Sequence, residues 1–143
     1  MIPEHLFIHH SLTQDGKTVS MNAIRKYHTV ELGWRDIGYH FIIELVNEEY
    51  EIFVGRAMND SGAHCRQDGM NHKSLGICCV GNFDKDSPPE ELWDLCVRLT
   101  KSLMAVFNIP SNRVYGHREY ASYKSCPGKK WNMDLFRAEL GGI

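Results

Sequence analysis

Apolar and polar positions along the chain change period several times, and each change marks a predicted element. Leu6-Phe7-Ile8-His9 is a short apolar run that reads as a strand. Alternation puts His9 opposite Ile8, so His9 and His10 point to opposite faces. A polar loop is expected from Ser11 to Thr18. Ser20 or Asn22 then caps a helix running to about Glu31, with Ile24, Tyr27 and Val30 on its inner stripe and Gly33 past its end. Tyr39-His40-Phe41-Ile42-Ile43-Glu44-Leu45 is the strongest strand in the chain. Tyr50 to Val54 follows an Asn47-Glu48-Glu49 turn, which predicts an antiparallel hairpin. Residues 55 to 73 carry Gly55, Gly62 and Gly69 among His64, Asn71 and His72, without periodicity; loops of this length usually serve function. Leu75 to Val80 reads as a buried central strand closed by Gly81.

Ser87-Pro88-Pro89-Glu90 has the form of a capping box with prolines in the first turn. The helix it opens carries Leu92, Leu95, Leu99, Leu103 and Val106 at helical spacing and ends near Phe107, before Asn108 and Pro110. Arg113-Val114-Tyr115 predicts a short strand, and Met133 to Leu140 a last helix stopped by Gly141-Gly142. With no repeat, low-complexity segment or linker, residues 1–143 read as one domain of order β-α-β-β-β-α-β-α. The expected fold is α/β, a mixed central sheet of about five strands flanked by helices.

Composition narrows the function classes. Hydrophobic residues make up 43% and charged residues 24% of the chain, as in ordinary globular proteins. The formal net charge of -2 excludes the basic field that nucleic acid binding requires. Eight histidines favour metal chemistry. Five cysteines form no secreted disulfide framework, and Cys78, Cys79 and Cys96 read as small buried hydrophobes. A strand begins within a few residues of Met1, and no apolar stretch reaches the ~20 residues that span a bilayer. A cytoplasmic monomer without a membrane partner is the expectation.

The chemistry concentrates in Tyr115-Gly116-His117-Arg118-Glu119-Tyr120-Ala121-Ser122-Tyr123-Lys124-Ser125-Cys126-Pro127-Gly128. His117 and Cys126 stand nine positions apart, with Lys124 two residues before the cysteine. Imidazole and thiolate suit zinc, and a catalytic zinc keeps three protein ligands and an open position. The third donor has to come from upstream, and the pair His9-His10 is the obvious source. The same residues also permit a thiol hydrolase with Cys126 as nucleophile and His117 as base.

Four stretches, in order along almost the whole chain, resemble the type 2 N-acetylmuramoyl-L-alanine amidases, a superfamily that includes short phage endolysins and the peptidoglycan recognition proteins. They are Phe7-Ile8-His9-His10-Ser11, Gly38-Tyr39-His40-Phe41-Ile42-Ile43, Asn71-His72-Lys73-Ser74-Leu75-Gly76-Ile77, and Gly116-His117-Arg118-Glu119 with Lys124-Ser125-Cys126-Pro127. The resemblance implies one catalytic zinc held by His9, His117 and Cys126, with Tyr39 and Lys124 as catalytic residues. The region of Gly62-Ala63-His64 and Asn71 corresponds to a loop lining the peptide-stem groove, which makes His64 and Asn71 candidates for substrate binding. His40 is expected to be structural. Glu119, two residues after His117, would share its face on a strand and is expected to orient a neighbour or form an ion pair. The His117–Cys126 interval is one residue longer than in the shortest phage versions, and Cys65 has no counterpart.

The implied reaction is hydrolysis of the amide between N-acetylmuramic acid and the L-alanine of the stem peptide, with peptidoglycan or a muropeptide as partner. A phage or prophage endolysin fits best, released to the wall through a lesion made by another protein. Alternatives are a cytoplasmic muropeptide-recycling amidase and a non-catalytic peptidoglycan-binding module. Recycling enzymes carry Asp-Pro-Gly where this chain has Cys126-Pro127-Gly128. Binding-only members commonly lack the cysteine.

Overall fold

The alternation expected of Leu6 to His10 is what divides the molecule into two layers. The computed structural model describes residues 1–12 and 20–141. In it β1 (His5–His10), β2 (Phe41–Val46), β3 (Glu49–Val54), β4 (Ser74–Cys79) and β5 (Val114–Gly116) form one sheet. The spatial order is β3-β2-β4-β1-β5. β2 and β3 are antiparallel, and the remaining neighbours are parallel. The mixed five-stranded α/β sheet and the element order are those read from the sequence.

Leu6, Ile8, Phe41, Ile43, Leu75, Ile77 and Cys79 face one side of the sheet. There they pack against α2 (Glu90–Phe107) and α3 (Met133–Gly141) through Leu92, Cys96, Leu103, Phe136 and Leu140. Each fully buried Leu or Ile in this layer contributes about 1.5–3 kcal/mol. Ile42, Cys78 and Val80 face the other side, against Met21 and Ile24 of α1 (Met21–Lys26). The topology requires this split. The crossover from β1 to β2 moves one way across the sheet, the crossover from β4 to β5 moves the other way, and right-handed crossovers then put α1 and α2 on opposite faces. β1 and β4 lie side by side at the point where the direction reverses, and such a point opens a crevice at the carboxyl ends of the strands. His9 and His10 end β1 at that crevice.

Several elements depart from expectation. Ser20 caps α1 by accepting from Ala23 N–H, but the α-helix ends at Lys26 and continues as a π-helical turn, Tyr27–Glu31. The wider turn shifts the register. His28 becomes buried and accepts the Gly38 N–H through Nδ1, while Tyr27 and Val30, expected inside, are exposed. Gly33 does follow, at φ 72°. Tyr39 and His40 precede β2 rather than lying in it. Ser87 makes no cap: Pro88-Pro89 carry the chain extended to a helix start at Glu90, with no side-chain cap bond. On α2, Cys96, Val97 and Thr100 are buried beside Leu92 and Leu103, whereas Val106 is 70% exposed. Asn47 and Glu48 both adopt positive φ and make the tight turn of the β2–β3 hairpin. The expected loop over 11 to 18 lies outside the described residues from position 13 onward, as does Gly142.

Candidate metal centre

Strand register brings the first two candidate donors together. Ile8 pairs with Gly116 across β1 and β5, so the next residues, His9 and His117, emerge side by side with ring centroids 4.7 Å apart. β5 ends at Gly116, and the chain turns at once into a single 3-10 turn, His117–Glu119. The chain then loops and returns Cys126 against the end of β1. The Cys126 thiol accepts the His10 backbone N–H at 3.3 Å, and its Sγ lies 3.6 Å from His9 Nδ1. One donor atom from each of His9, His117 and Cys126 lies within 4.8 Å of the others.

The Cys126 loop is held from both sides. Arg118 N–H donates to Cys126 O at 2.7 Å, and the Arg118 guanidinium donates to the carbonyls of Gly128 and Trp131. Across the loop, Asp84 accepts from the Ser125 hydroxyl at 2.8 Å and from Lys129 N–H at 2.9 Å, bracketing the cysteine. Phe83 O accepts from Lys130 N–H. Gly128, at φ 123°, passes so close to Phe83 that an added Cβ would meet its backbone at 2.4 Å. The Cys126–Pro127 peptide bond is cis. Sequence reasoning missed Asp84 and Arg118 as loop clamps, because an acid in a polar loop is indistinguishable there from a solvated one.

Burial holds the site neutral. It drives the His9 imidazole well below its ordinary range, helped by His64 and His117, and lowers His117 to about 4, with Lys124 adding to the effect. Burial also pushes the Cys126 thiol up to about 12, against the opposing pull of the His10 N–H and the Lys124 charge. Two neutral imidazoles and a cysteine sulfur that gives up its proton to bind as thiolate are a zinc donor set. Zinc bonds of about 2.0–2.1 Å to nitrogen and about 2.3 Å to sulfur, at a tetrahedral angle, set such donors about 3.6 Å apart. The His9 Nδ1–Cys126 Sγ separation of 3.6 Å fits that spacing.

A family model described as N-acetylmuramoyl-L-alanine amidase matches residues 1–129. The chain belongs to this amidase family. It is 34% identical over 135 residues to the endolysin of Escherichia phage T7, covering 88% of this chain and 83% of that one. To the endolysin of Enterobacteria phage T3 it is 33% identical over 137 residues, covering 90% and 84%. Among solved structures, the N-acetylmuramoyl-L-alanine amidase LysC from Clostridium intestinale superposes with a TM-score of 0.84 at 27% identity, over 97% of this chain and 85% of that chain. Drosophila PGRP-LB superposes at 0.77 with 30% identity, over 91% and 78%.

The remaining candidate residues of this amidase chain divide by placement. Tyr39 lies beside the donors, its ring 5.1 Å from that of His9. Burial and the thiols of Cys78 and Cys126 raise its hydroxyl well above the usual range. Lys124 is exposed at the rim, near enough to lower His117 and the Cys126 thiol. His64 and Asn71 were expected at the substrate. Instead His64 is 6% exposed with Nδ1 3.0 Å from His9 Nε2, and the Asn71 side-chain oxygen is taken up by the N–H groups of His64 and Cys65. His40 is structural, as expected, accepting from Gly76 N–H and meeting Asp60 O. Glu119 leaves the face of His117 because the 3-10 turn replaces a strand there; it accepts from Gly116 N–H and pairs with Arg137 at 2.7 Å. His10 turns to the opposite side and accepts from Phe83 N–H.

Proposed function

We propose that this chain is a zinc-dependent N-acetylmuramoyl-L-alanine amidase, acting as a phage or prophage endolysin on the bond between N-acetylmuramic acid and L-alanine. The observation that carries the reading is the convergence of His9, His117 and Cys126 at the carboxyl ends of β1 and β5, in a chain of the amidase family. Zinc bound by those three residues would activate a water near neutral pH and polarise the scissile carbonyl.

The protein's own groups account for the rest. With both imidazoles neutral, His9 and His117 offer lone pairs without first losing a proton. Tyr39 keeps its proton at neutral pH and so can donate to the oxygen that gains charge as the amide carbonyl becomes tetrahedral. Lys124, at the open rim, offers an ammonium to the same oxygen or to the muropeptide as it enters. The relatives support the substrate: one solved neighbour, a tyrosine-to-phenylalanine mutant of Drosophila PGRP-LB, is in complex with tracheal cytotoxin and superposes at a TM-score of 0.80 with 29% identity. No helix among the described residues is long and apolar enough to cross a membrane.

Purified protein incubated with peptidoglycan should release free L-alanine amino termini. A chelator should abolish them and added zinc restore them. Release that persists in chelator would instead support a thiol enzyme, and zinc-loaded protein that binds muropeptide without new ends would support a recognition module.

A further inference from the structure

His64 was a candidate for substrate contact, and its surroundings give it different work. The starting point is Ser74, fully buried, whose hydroxyl donates to Met70 O at 2.6 Å. With that proton committed, Ser74 faces His64 Nε2 only with acceptors, its hydroxyl oxygen and its carbonyl, each at 3.4 Å. His64 Nε2 therefore carries the imidazole proton, and His64 Nδ1 carries a lone pair. That lone pair lies 3.0 Å from His9 Nε2, which must then be the protonated nitrogen of His9. His9 Nδ1 is left as a bare acceptor, and Nδ1 is the atom that faces Cys126 Sγ.

The His64 ring is fixed in place. A Cβ on Gly62 would come within 2.5 Å of the ring and one on Gly76 within 2.6 Å, so the two glycines form the walls of a slot. Asn71 pins the backbone by accepting from His64 N–H at 2.7 Å.

We infer that His64 is a positioning residue: the Ser74–His64–His9 chain locks His9 in the Nε2–H tautomer and aims its Nδ1 lone pair into the site. This rests on the reading of His9 as a metal ligand. Outer partners of a ligating histidine fix its orientation and basicity, and losing one typically weakens metal affinity about 10- to 100-fold.

Two measurements on the protein as purified test it. Two-bond 1H–15N imidazole spectra at neutral pH should give Nε2–H signals for both His64 and His9; an Nδ1–H signal at His64 would overturn the inference. In competition titrations with a chromogenic chelator, His64→Leu should bind zinc about 10- to 100-fold more weakly than wild type. His64→Asn sets an oxygen acceptor where Nδ1 stands and should stay close to wild type. Thermal melts identify any variant that fails to fold, and the wild-type tautomer spectra, which need no variant, then carry the test. Unchanged zinc affinity in folded His64→Leu, with a raised KM for muropeptide, would return His64 to substrate contact and overturn the proposal. Wild-type protein that gives both Nε2–H signals but takes up no zinc would leave the tautomer chain standing and sink the metal reading alone.

Discussion

The two sides of the candidate metal centre are built on different principles. On the strand side, His9 is held by neutral, buried groups: the His64 ring between Gly62 and Gly76, and Ser74 behind it. On the loop side, Cys126 is held by charged groups near solvent, Asp84 gripping residues 125 and 129 and Arg118 gripping the carbonyls of 128 and 131. A sheet supplies its own backbone partners, so a side chain there needs only its ring fixed. A loop has backbone donors and acceptors to satisfy, and side chains must do it. The strand side should therefore respond to the loss of shape and tautomer, the loop side to the loss of charge.

The sharpest break removes a donor from either side. Cys126→Ala or His117→Ala is expected to abolish both stoichiometric zinc, measured by elemental analysis, and release of L-alanine termini, whichever side it strikes. Tyr39→Phe touches neither support and should keep its zinc while turnover falls by roughly 10²–10³, the usual effect of one lost oxyanion contact. An unchanged rate would take Tyr39 out of the reaction.

The contrast between the sides is next. Asp84→Ala should destabilise the fold by about 1–2 kcal/mol in urea melts, since two hydrogen bonds to a partly exposed carboxylate are lost. Burial works against ionisation of Asp84, but the Lys129 N–H and the Ser125 hydroxyl outweigh it and hold the carboxyl below its usual range. A depressed folded-state pKa stabilises above the unfolded value of about 3.9 and is lost as pH falls through the folded value. The wild-type advantage over Asp84→Ala should thus be full at neutral pH, begin to fall near pH ~4 and be gone only below the depressed folded-state value. Smallest of all is the Arg25–Asp36 pair at 2.9 Å, between two partly exposed side chains; Arg25→Ala should cost less than about 1 kcal/mol, fade with salt and leave turnover unchanged.

The sequence made the donors legible and left their supports dark, for physical reasons. Period-2 alternation alone separates His9 from His10, and the helical and strand runs predict the element order. His117 and Cys126 announce themselves by donor chemistry and spacing. What alternation cannot reveal is contact between distant loops. Asp84 lies 41 residues from its partner Ser125, and in the sequence it is one acid among several. His64 was visible as a residue of the loop over 55–73, but only its burial against Gly76 distinguishes positioning from contact. The π-helical turn at Tyr27–Glu31 escaped because apolar spacing gives no sign of one extra residue in a turn.

The central claim is that the β1 face carrying His9 holds the metal, and His9 and His10 are the natural pair on which to test it. Zinc content should be measured on purified, folded His9→Ala and His10→Ala proteins. The account requires that His9→Ala lose its zinc. His10→Ala gives up the hydrogen bond from Phe83 N–H and the stacking on the Phe83 ring but keeps the backbone N–H to Cys126, so it should retain the metal. Zinc kept by His9→Ala and lost by His10→Ala would contradict the account, placing the metal on the opposite face of the strand.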